Sequence, residues 1–221
     1  MTRTRSFRCR AILFDLDGVL VNSAECVERT WRKWAARHAL DGDRVIAFAH
    51  GRRTVETVRL VAPELSTDAE VAELESSEAM TAEGVYEVPG ARELVQSLPS
   101  GRWAVVTSGV RAVADFRIRH TRLPMPPVMI CAEDISNGKP DPEGYLAAAG
   151  RLGVSARDCI VIEDAPAGIE AARNAGMRAI AIAATYPTDA LDSADGVAGR
   201  LSDLTARVDR DQILMTINAS A

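Results

Sequence analysis

The chain has 221 residues, of which 47% are hydrophobic and 26% charged, and its formal net charge is −5 with a pI of about 5.3. This apolar share is enough for a substantial core in one large domain or two smaller ones. The acidic balance argues against nucleic acid or an anionic membrane as a partner. No stretch approaches the roughly 20 apolar residues of a membrane span. We expect a monomer.

The first ten residues, MTRTRSFRCR, are basic but have no apolar run behind them, so they do not resemble a secretory signal. The four cysteines show no CxxC spacing. We therefore expect reduced, mostly buried thiols in a cytoplasmic protein.

Five short apolar runs recur along the chain, and helical patterns lie between them. The runs are continuous rather than alternating, which is typical of strands buried on both faces. Asp141-Pro142 and Pro166 mark helix starts, and Gly153 and Gly176 mark helix ends. This alternation predicts an α/β fold with a doubly wound parallel sheet. The runs lie at 11–15, 103–108, 128–132, 159–164 and 178–183.

One interval, between Asp17 and Trp103, is far longer than a single helix requires. Its apolar residues recur at helical spacing after residue 23, and segments 45–61 and 68–86 also read as helices separated by Pro63. We predict a helical cap subdomain at 22–88, inserted into an α/β core made of 8–21 and 89–212. The segment DGVAGRLSDL is expected to supply a last strand.

Three of the predicted strands end in polar residues. In an open α/β sheet, ligands bind at the carboxyl ends of the strands, so these side chains should share one edge. Carboxylates that converge there would repel one another unless a cation lay among them, and oxygen ligands suit Mg²⁺. The residues are Asp15 and Asp17, Thr107 and Ser108, and Glu163 and Asp164.

Each of these features also has an ordinary structural interpretation. Asp17-Gly18 fits a simple turn, Thr107 and Ser108 fit a helix N-cap, and a carboxylate pair fits a solvated loop. Lys139, in GKPDP, fits a surface lysine as well as a cation that neutralises Asp15 and a bound anion. Together, three polar ends on three buried strands indicate a site.

The motifs resemble those of the haloacid dehalogenase superfamily in order and spacing. DLDGVLVNS, VVTSG, GKPDPEGY and VIEDAPAG are similar to its four motifs, and the resemblance covers residues 9 to about 205. A helical cap inserted after the first motif is typical of the branch that contains β-phosphoglucomutase and small sugar-phosphate phosphatases. The resemblance therefore implies phosphoryl transfer with Mg²⁺.

It also implies roles for individual residues. Asp15 would be the nucleophile that forms an aspartyl phosphate, and Asp17 the general acid and then base. Lys139 would complete the charge clamp around the phosphoryl group. The implied phosphate-binding residues are Thr107, Ser108 and Gly109, and the implied metal ligands are Asp15, Asp17 (through its backbone carbonyl), Asp164 and Glu163 (directly or through water).

The cap bears on the substrate. HGRRT (50–54) resembles a cap loop of phosphatases for sugar and polyol phosphates, and Val27 stands where β-phosphoglucomutases usually have a histidine. Both features favour hydrolysis of a small sugar phosphate or sugar-alcohol phosphate. A β-phosphoglucomutase-type phosphomutase and a catalytically weak phosphate-binding regulatory module remain as alternatives. We expect Glu25, His50, Arg53 and Thr54 to bind the substrate's hydroxyls.

Overall fold

The computed structural model describes residues 4–218. Its strands are β1 (Arg5–Cys9), β2 (Ala11–Phe14), β3 (Val21–Asn22), β4 (Tyr86–Glu87), β5 (Trp103–Val106), β6 (Met129–Ile130), β7 (Cys159–Glu163), β8 (Arg178–Ile182), β9 (Gly196–Ala198), β10 (Leu204–Asp209) and β11 (Gln212–Ile217). Its helices are α1 (Ala24–Arg37), α2 (Gly42–Ala49), α3 (Thr54–Val61), α4 (Asp68–Ala79), α5 (Ala91–Gln96), α6 (Arg111–His120), α7 (Glu143–Leu152) and α8 (Pro166–Asn174).

The core is a six-stranded parallel sheet in the order β6-β5-β2-β7-β8-β9, which confirms the predicted α/β fold. Strand β2 lies inside it and is buried on both faces. Ile12 and Phe14 face the layer that contains α5 and α6, whereas Ala11 and Leu13 face α7 and α8. Two apolar layers explain why these strands read as continuous apolar runs.

A second sheet, antiparallel and in the order β1-β11-β10, was not predicted. It packs beside the core sheet through buried Ile213 and Met215. Strand β9 supplies the last parallel strand that the segment DGVAGRLSDL was expected to form. The chain then continues in the hairpin of β10 and β11 to Ile217, beyond the predicted end of the core at residue 212.

Helices α1 to α4 lie between the short antiparallel strands β3 and β4. They share a small apolar cluster of their own, centred on Trp31 and Trp34, whose ring centroids are 5.6 Å apart. The helix predicted over 45–61 is wrong at its centre, because the backbone leaves helical geometry at His50 and Gly51 has φ +76°. The helical segment from β3 to β4 is called the cap. Its boundary as a domain at 22–88 stays a prediction.

All four cysteines are free and buried. Among residues 4–218, no helix has both the length and the apolar character needed to cross a membrane.

Candidate active site

The loop after β2 brings Asp15 and Asp17 to the carboxyl edge of the parallel sheet. The chain turns back at once, because Gly18 N–H donates to the carbonyl of Val21 at 2.7 Å. Gly18 has φ +85°, and a Cβ there would overlap the carboxylate of Asp164. Only glycine therefore allows this turn to pass so close to the end of β7.

Lys139 is buried at the same edge. Its Nζ contacts Asp15 Oδ1, lies 2.6 Å from Glu163 Oε1 and donates to the carbonyl of Val106 at 3.3 Å. Burial lowers the pKa of Lys139, but Asp15 and Glu163 outweigh burial and hold that pKa well above its usual value. The side chain is thus a buried cation rather than a solvated surface lysine.

Glu163 accepts four hydrogen bonds. Its Oε1 accepts from Lys139 and from the hydroxyl of Tyr145 at 2.9 Å, while its Oε2 accepts from the backbone N–H groups of Asp164 and Ala165 at 2.9 and 3.0 Å. A Cβ at position 168 would overlap this carboxylate, so Gly168 gives it room. These bonds hold Glu163 beside Lys139 and orient that lysine. The metal contact of Glu163, directly or through water, stays a prediction.

Three carboxylates offer one oxygen each within 4.8 Å of one another: Asp15, Glu163 and Asp164. Burial, with the neighbouring charge of Glu163, raises the pKa of Asp164 to about 8. Burial likewise raises the pKa of Asp15 well above its usual value, although Lys139 opposes this. A hard-oxygen cluster with only one lysine as counter-charge fits a small divalent cation such as Mg²⁺.

Thr107, Ser108 and Gly109 follow β5 on the next strand of the same edge. Gly109 N–H donates to Thr107 Oγ1 at 3.1 Å, which closes a tight turn. The Ser108 hydroxyl donates to the carbonyl of Gly51 at 2.9 Å and so ties this loop to the cap. The phosphoryl contact of Ser108, which also lines the cavity between this edge and the cap, stays a prediction.

Asp17 lines the same cavity as Asp15 and Asp164. Its Oδ1 accepts from Ser23 Oγ at 2.6 Å and forms an ion pair with Arg117 Nη1 at 2.8 Å. Arg117 also binds Glu78 of the cap through Nη2, at 2.8 Å. The predicted acid/base residue thus has a buried arginine partner.

A cavity of about 900 Å³ lies between this edge and the cap. Its floor includes Asp15, Asp17 and Asp164. The cap contributes polar groups that can bind hydroxyls, together with the indole of Trp31. These polar groups include Asn22, Glu28, His50, Arg52, Thr54 and Glu78.

Two predicted substrate residues do not line this cavity. The Arg53 guanidinium donates to the core carbonyls of Ile135 and Ser136, at 3.3 and 2.9 Å, so it fastens the cap to the loop before Lys139. Glu25 is largely exposed and faces Arg29. The structure corrects the expected position of both residues, because Arg53 points toward the core loop and Glu25 points toward solvent.

A family model for haloacid dehalogenase-like hydrolases matches residues 9–176. The chain belongs to this family.

Relatives of this hydrolase include phosphatases. It is 41% identical over 203 residues to hexitol phosphatase A of Escherichia coli K12, covering 90% of this chain and 94% of that protein. It is 36% identical to glycerol-1-phosphate phosphohydrolase 2 of Saccharomyces cerevisiae, covering 86% of this chain and 81% of the relative. Both relatives support a phosphatase.

The structure of β-phosphoglucomutase from Clostridium difficile shares the fold, with a TM-score of 0.75 and 22% identity, covering 89% of this chain and 93% of that one. Together with the family match, this confirms the resemblance inferred from the four motifs.

The motifs did not reveal every residue of this hydrolase's candidate site. Arg117 was missed because α6 carries several arginines, and its sequence does not distinguish the one that is buried. Tyr145 and Thr185 bind Glu163 and Asp164. Tyr145 ends the motif GKPDPEGY but was given no role, and Thr185 lies outside the motifs. Trp31 packs in the apolar cluster of α1 to α4 and also lines the cavity.

Proposed function

We propose that this hydrolase removes the phosphoryl group from a small sugar phosphate or sugar-alcohol phosphate, with Mg²⁺, through an aspartyl phosphate on Asp15. The observation that carries the proposal is the placement of Asp15. It lies at the floor of the cavity, with Oδ1 against the buried Lys139 and with Asp164 and Thr107 beside it.

The reaction divides into two transfers at phosphorus. In the first, a carboxylate oxygen of Asp15 attacks phosphorus, the bond to the ester oxygen breaks, and protonated Asp17 gives its proton to the leaving alcohol. In the second, Asp17 takes a proton from water as that water attacks phosphorus, and inorganic phosphate and free Asp15 result. Lys139 stabilises the negative charge that gathers on the phosphoryl oxygens.

Asp15, Asp164 and the backbone carbonyl of Asp17 are the groups that would hold Mg²⁺. When bound, the cation neutralises the crowded carboxylates and the charge on the phosphoryl oxygens. Glu163 serves this chemistry indirectly, since its hydrogen bonds fix Lys139 beside the nucleophile.

The substrate class follows from the cavity and from the relatives. The core edge can recognise only the phosphoryl group, which all candidate substrates share. The cap supplies charged and polar groups such as Glu28, His50 and Arg52, which suit a substrate with several hydroxyls. The hexitol and glycerol phosphate specificities in the names of the two relatives agree with this class.

The test is a phosphate-release screen with Mg²⁺ over hexitol phosphates, glycerol phosphate, hexose 6-phosphates and unrelated phosphomonoesters. We expect the highest kcat/KM among the polyol and sugar phosphates, and we expect ³²P-labelled substrate to leave acid-stable label on wild-type protein but not on Asp15→Asn. Equal rates on all esters would contradict the substrate class. Conversion of a sugar 1-phosphate to its 6-phosphate, without phosphate release, would replace hydrolysis by mutase chemistry.

A further inference from the structure

Arg117 of helix α6 is the most deeply buried charged side chain that touches the cavity, with 2% of its surface exposed. Its two terminal nitrogens point in different directions. Nη1 lies 2.8 Å from Asp17 Oδ1 in the core, and Nη2 lies 2.8 Å from Glu78 Oε2 in the cap. One cation therefore joins two carboxylates that belong to different parts of the fold.

Stability alone does not account for this arrangement. Removing a guanidinium from water is costly, and well-packed apolar side chains in place of a buried ion pair are often as stable or more stable. The Nε of Arg117 is also buried and has no hydrogen-bond partner within residues 4–218, which adds to the cost. A cation buried at such a cost beside the cavity calls for a functional explanation.

The geometry at Asp17 supplies one. Ser23 and Arg117 both bind Oδ1 of this carboxylate, at 2.6 and 2.8 Å. Two bonds to one oxygen fix the rotation of the side chain and leave Oδ2 as the oxygen for proton transfer. The other candidate catalytic group, Asp15, is held in a comparable way by Lys139 on its Oδ1.

We propose that Arg117 is a positioning residue: it sets the Asp17 carboxylate for proton transfer to the leaving group, and its bond to Glu78 makes this placement depend on the seating of the cap. The inference rests on the proposed function, in which Asp17 is the general acid. Glu78 belongs to α4, which packs directly against α6, so a displaced cap would remove one of the two anchors of Arg117.

The test compares two substrates whose leaving groups differ in their need for a proton. The ratio kcat/KM reports the steps up to and including the first transfer to Asp15, in which Asp17 must protonate an alkoxide. Para-nitrophenolate leaves without a proton, so kcat/KM for para-nitrophenyl phosphate does not need a well-placed acid. A group that positions Asp17 should therefore affect a polyol phosphate far more than para-nitrophenyl phosphate.

We expect Arg117→Met to lower kcat/KM for a polyol phosphate roughly 10²-fold, and that for para-nitrophenyl phosphate by less than about tenfold, as for a misplaced catalytic group. Arg117→Lys keeps the charge but cannot bridge two carboxylates in the same fork, so it should show a smaller loss with the same preference. The matched control is Arg111→Met. Arg111 lies on the same helix as Arg117, pairs with Asp134 and does not line the cavity. This control should leave kcat/KM unchanged for both the polyol phosphate and para-nitrophenyl phosphate.

Glu78→Gln tests the connection to the cap. It leaves Arg117 in place but removes the negative charge that Arg117 Nη2 binds in the cap, and we expect a leaving-group-dependent loss of roughly tenfold. Equal losses on both substrates in correctly folded Arg117→Lys and Arg117→Met would overturn the positioning role. Unchanged kinetics in Glu78→Gln would overturn its dependence on the cap. If Arg117→Met does not fold, Arg117→Lys and Glu78→Gln decide the matter by the same criteria.

The double variant Asp17→Asn/Arg117→Lys separates this inference from the proposed function. If Arg117 acts through Asp17, the second substitution adds no leaving-group-dependent loss to the first. If it adds its full loss, Arg117 acts elsewhere and the inference is wrong. If Asp17→Asn alone shows no leaving-group dependence, the acid role of Asp17 fails first, and that failure is visible without any Arg117 variant.

Discussion

The core edge and the cap meet at the same cavity, but they fix their side chains in different ways. On the core edge, Asp15 and Asp164 directly follow parallel strands, and backbone hydrogen bonds set where they lie. On the cap, residues 50–53 form a loop between α2 and α3. Strand ends thus provide the fixed chemistry of the site, whereas the cap loop supplies side chains that can face the substrate.

The two regions also differ in electrostatics. The core edge buries three carboxylates around one lysine. The cap instead places its charges at exposed or partly exposed positions, and one of them, Glu78, binds the buried Arg117. If the core edge carries the chemistry and the cap the substrate selectivity, core substitutions should affect all substrates and cap substitutions should affect some more than others.

The largest effect should come from the core nucleophile. Asp15→Asn keeps the shape of the side chain but removes the attacking oxygen, so phosphate release should fall to background on all substrates. Phosphate release and thermal unfolding check this, with Asp158→Asn, at a partly exposed position outside the cavity lining, as control. Appreciable turnover in a folded Asp15→Asn protein would show that the phosphoryl group does not pass through Asp15.

Chelation should have a nearly equal effect. EDTA should abolish activity and Mg²⁺ should restore it, because the carboxylate cluster needs a counter-cation to remain ionised. Ca²⁺ should inhibit, since its larger and looser coordination disturbs the in-line geometry. The measurement is phosphate release after dialysis against each ion. Full activity in the presence of chelator would remove the metal from the mechanism.

Asp17→Asn should cost roughly 10²–10⁴-fold on a polyol phosphate, the usual contribution of general acid–base catalysis. Mg²⁺ binding should largely survive, because the proposed metal contact of Asp17 is its backbone carbonyl. Steady-state kinetics and the Mg²⁺-dependent rise in melting temperature test the two parts separately. Unchanged turnover would refute the acid/base assignment.

The same division explains what the sequence could predict. Buried parallel strands are continuous apolar runs, so their ends, and the residues Asp15, Lys139 and Asp164 that gather there, were predictable from topology and motif order. The hairpin of β10 and β11 was not, because its residues are partly exposed and interrupted by charges. The motif order placed Glu163 at the correct edge, but only the hydrogen bonds show that it orients Lys139.

Residues in the cap were harder to place, since a loop sequence does not fix the direction of its side chains. HGRRT indicated several donors facing a substrate, yet only His50, Gly51, Arg52 and Thr54 of this segment line the cavity. Arg53 turns toward the core and donates to the backbone carbonyls of Ile135 and Ser136. Every residue has a backbone carbonyl, so the sequence does not reveal these partners.

Arg53→Ala sharpens the comparison, because it is a cap substitution with an expected effect on the core. From sequence alone, it should weaken turnover of the sugar phosphate more than that of para-nitrophenyl phosphate. In the structure, Arg53 fastens the cap to 135–136, next to the Lys139 loop, and its partner Glu56 accepts from Gly138 N–H at 3.1 Å. We therefore expect similar losses of roughly tenfold on both substrates.

His50→Ala is the control for Arg53→Ala, because His50 lines the cavity and should bind a substrate hydroxyl. We expect it to weaken turnover of the polyol phosphate more than that of para-nitrophenyl phosphate. If Arg53→Ala also weakened turnover of the polyol phosphate more than that of para-nitrophenyl phosphate, Arg53 would be a substrate-binding residue after all.

The smallest effect concerns His50 and pH. Burial lowers the pKa of His50 below its usual 6.5, although Glu28 and Asp17, the charged groups that act on it, oppose this shift. Between the two pKa values, the unfolded chain binds a proton more readily than the folded protein does. His50 therefore contributes stability above pH 6.5 that is lost as the pH falls through its folded pKa.

Melting temperatures at about pH 7.5 and about pH 5.5 can measure this loss, since the imidazole titrates in that window. His50→Gln removes the titrating group and should show a smaller fall in melting temperature than the wild type. His120→Gln, which alters an exposed histidine on α6, is the matched control and should fall as the wild type does. The carboxylates of the core edge are the same in all three proteins, so a difference confined to His50→Gln would locate this part of the pH response in the cap. The same fall in all three would show instead that acid sensitivity belongs to other groups.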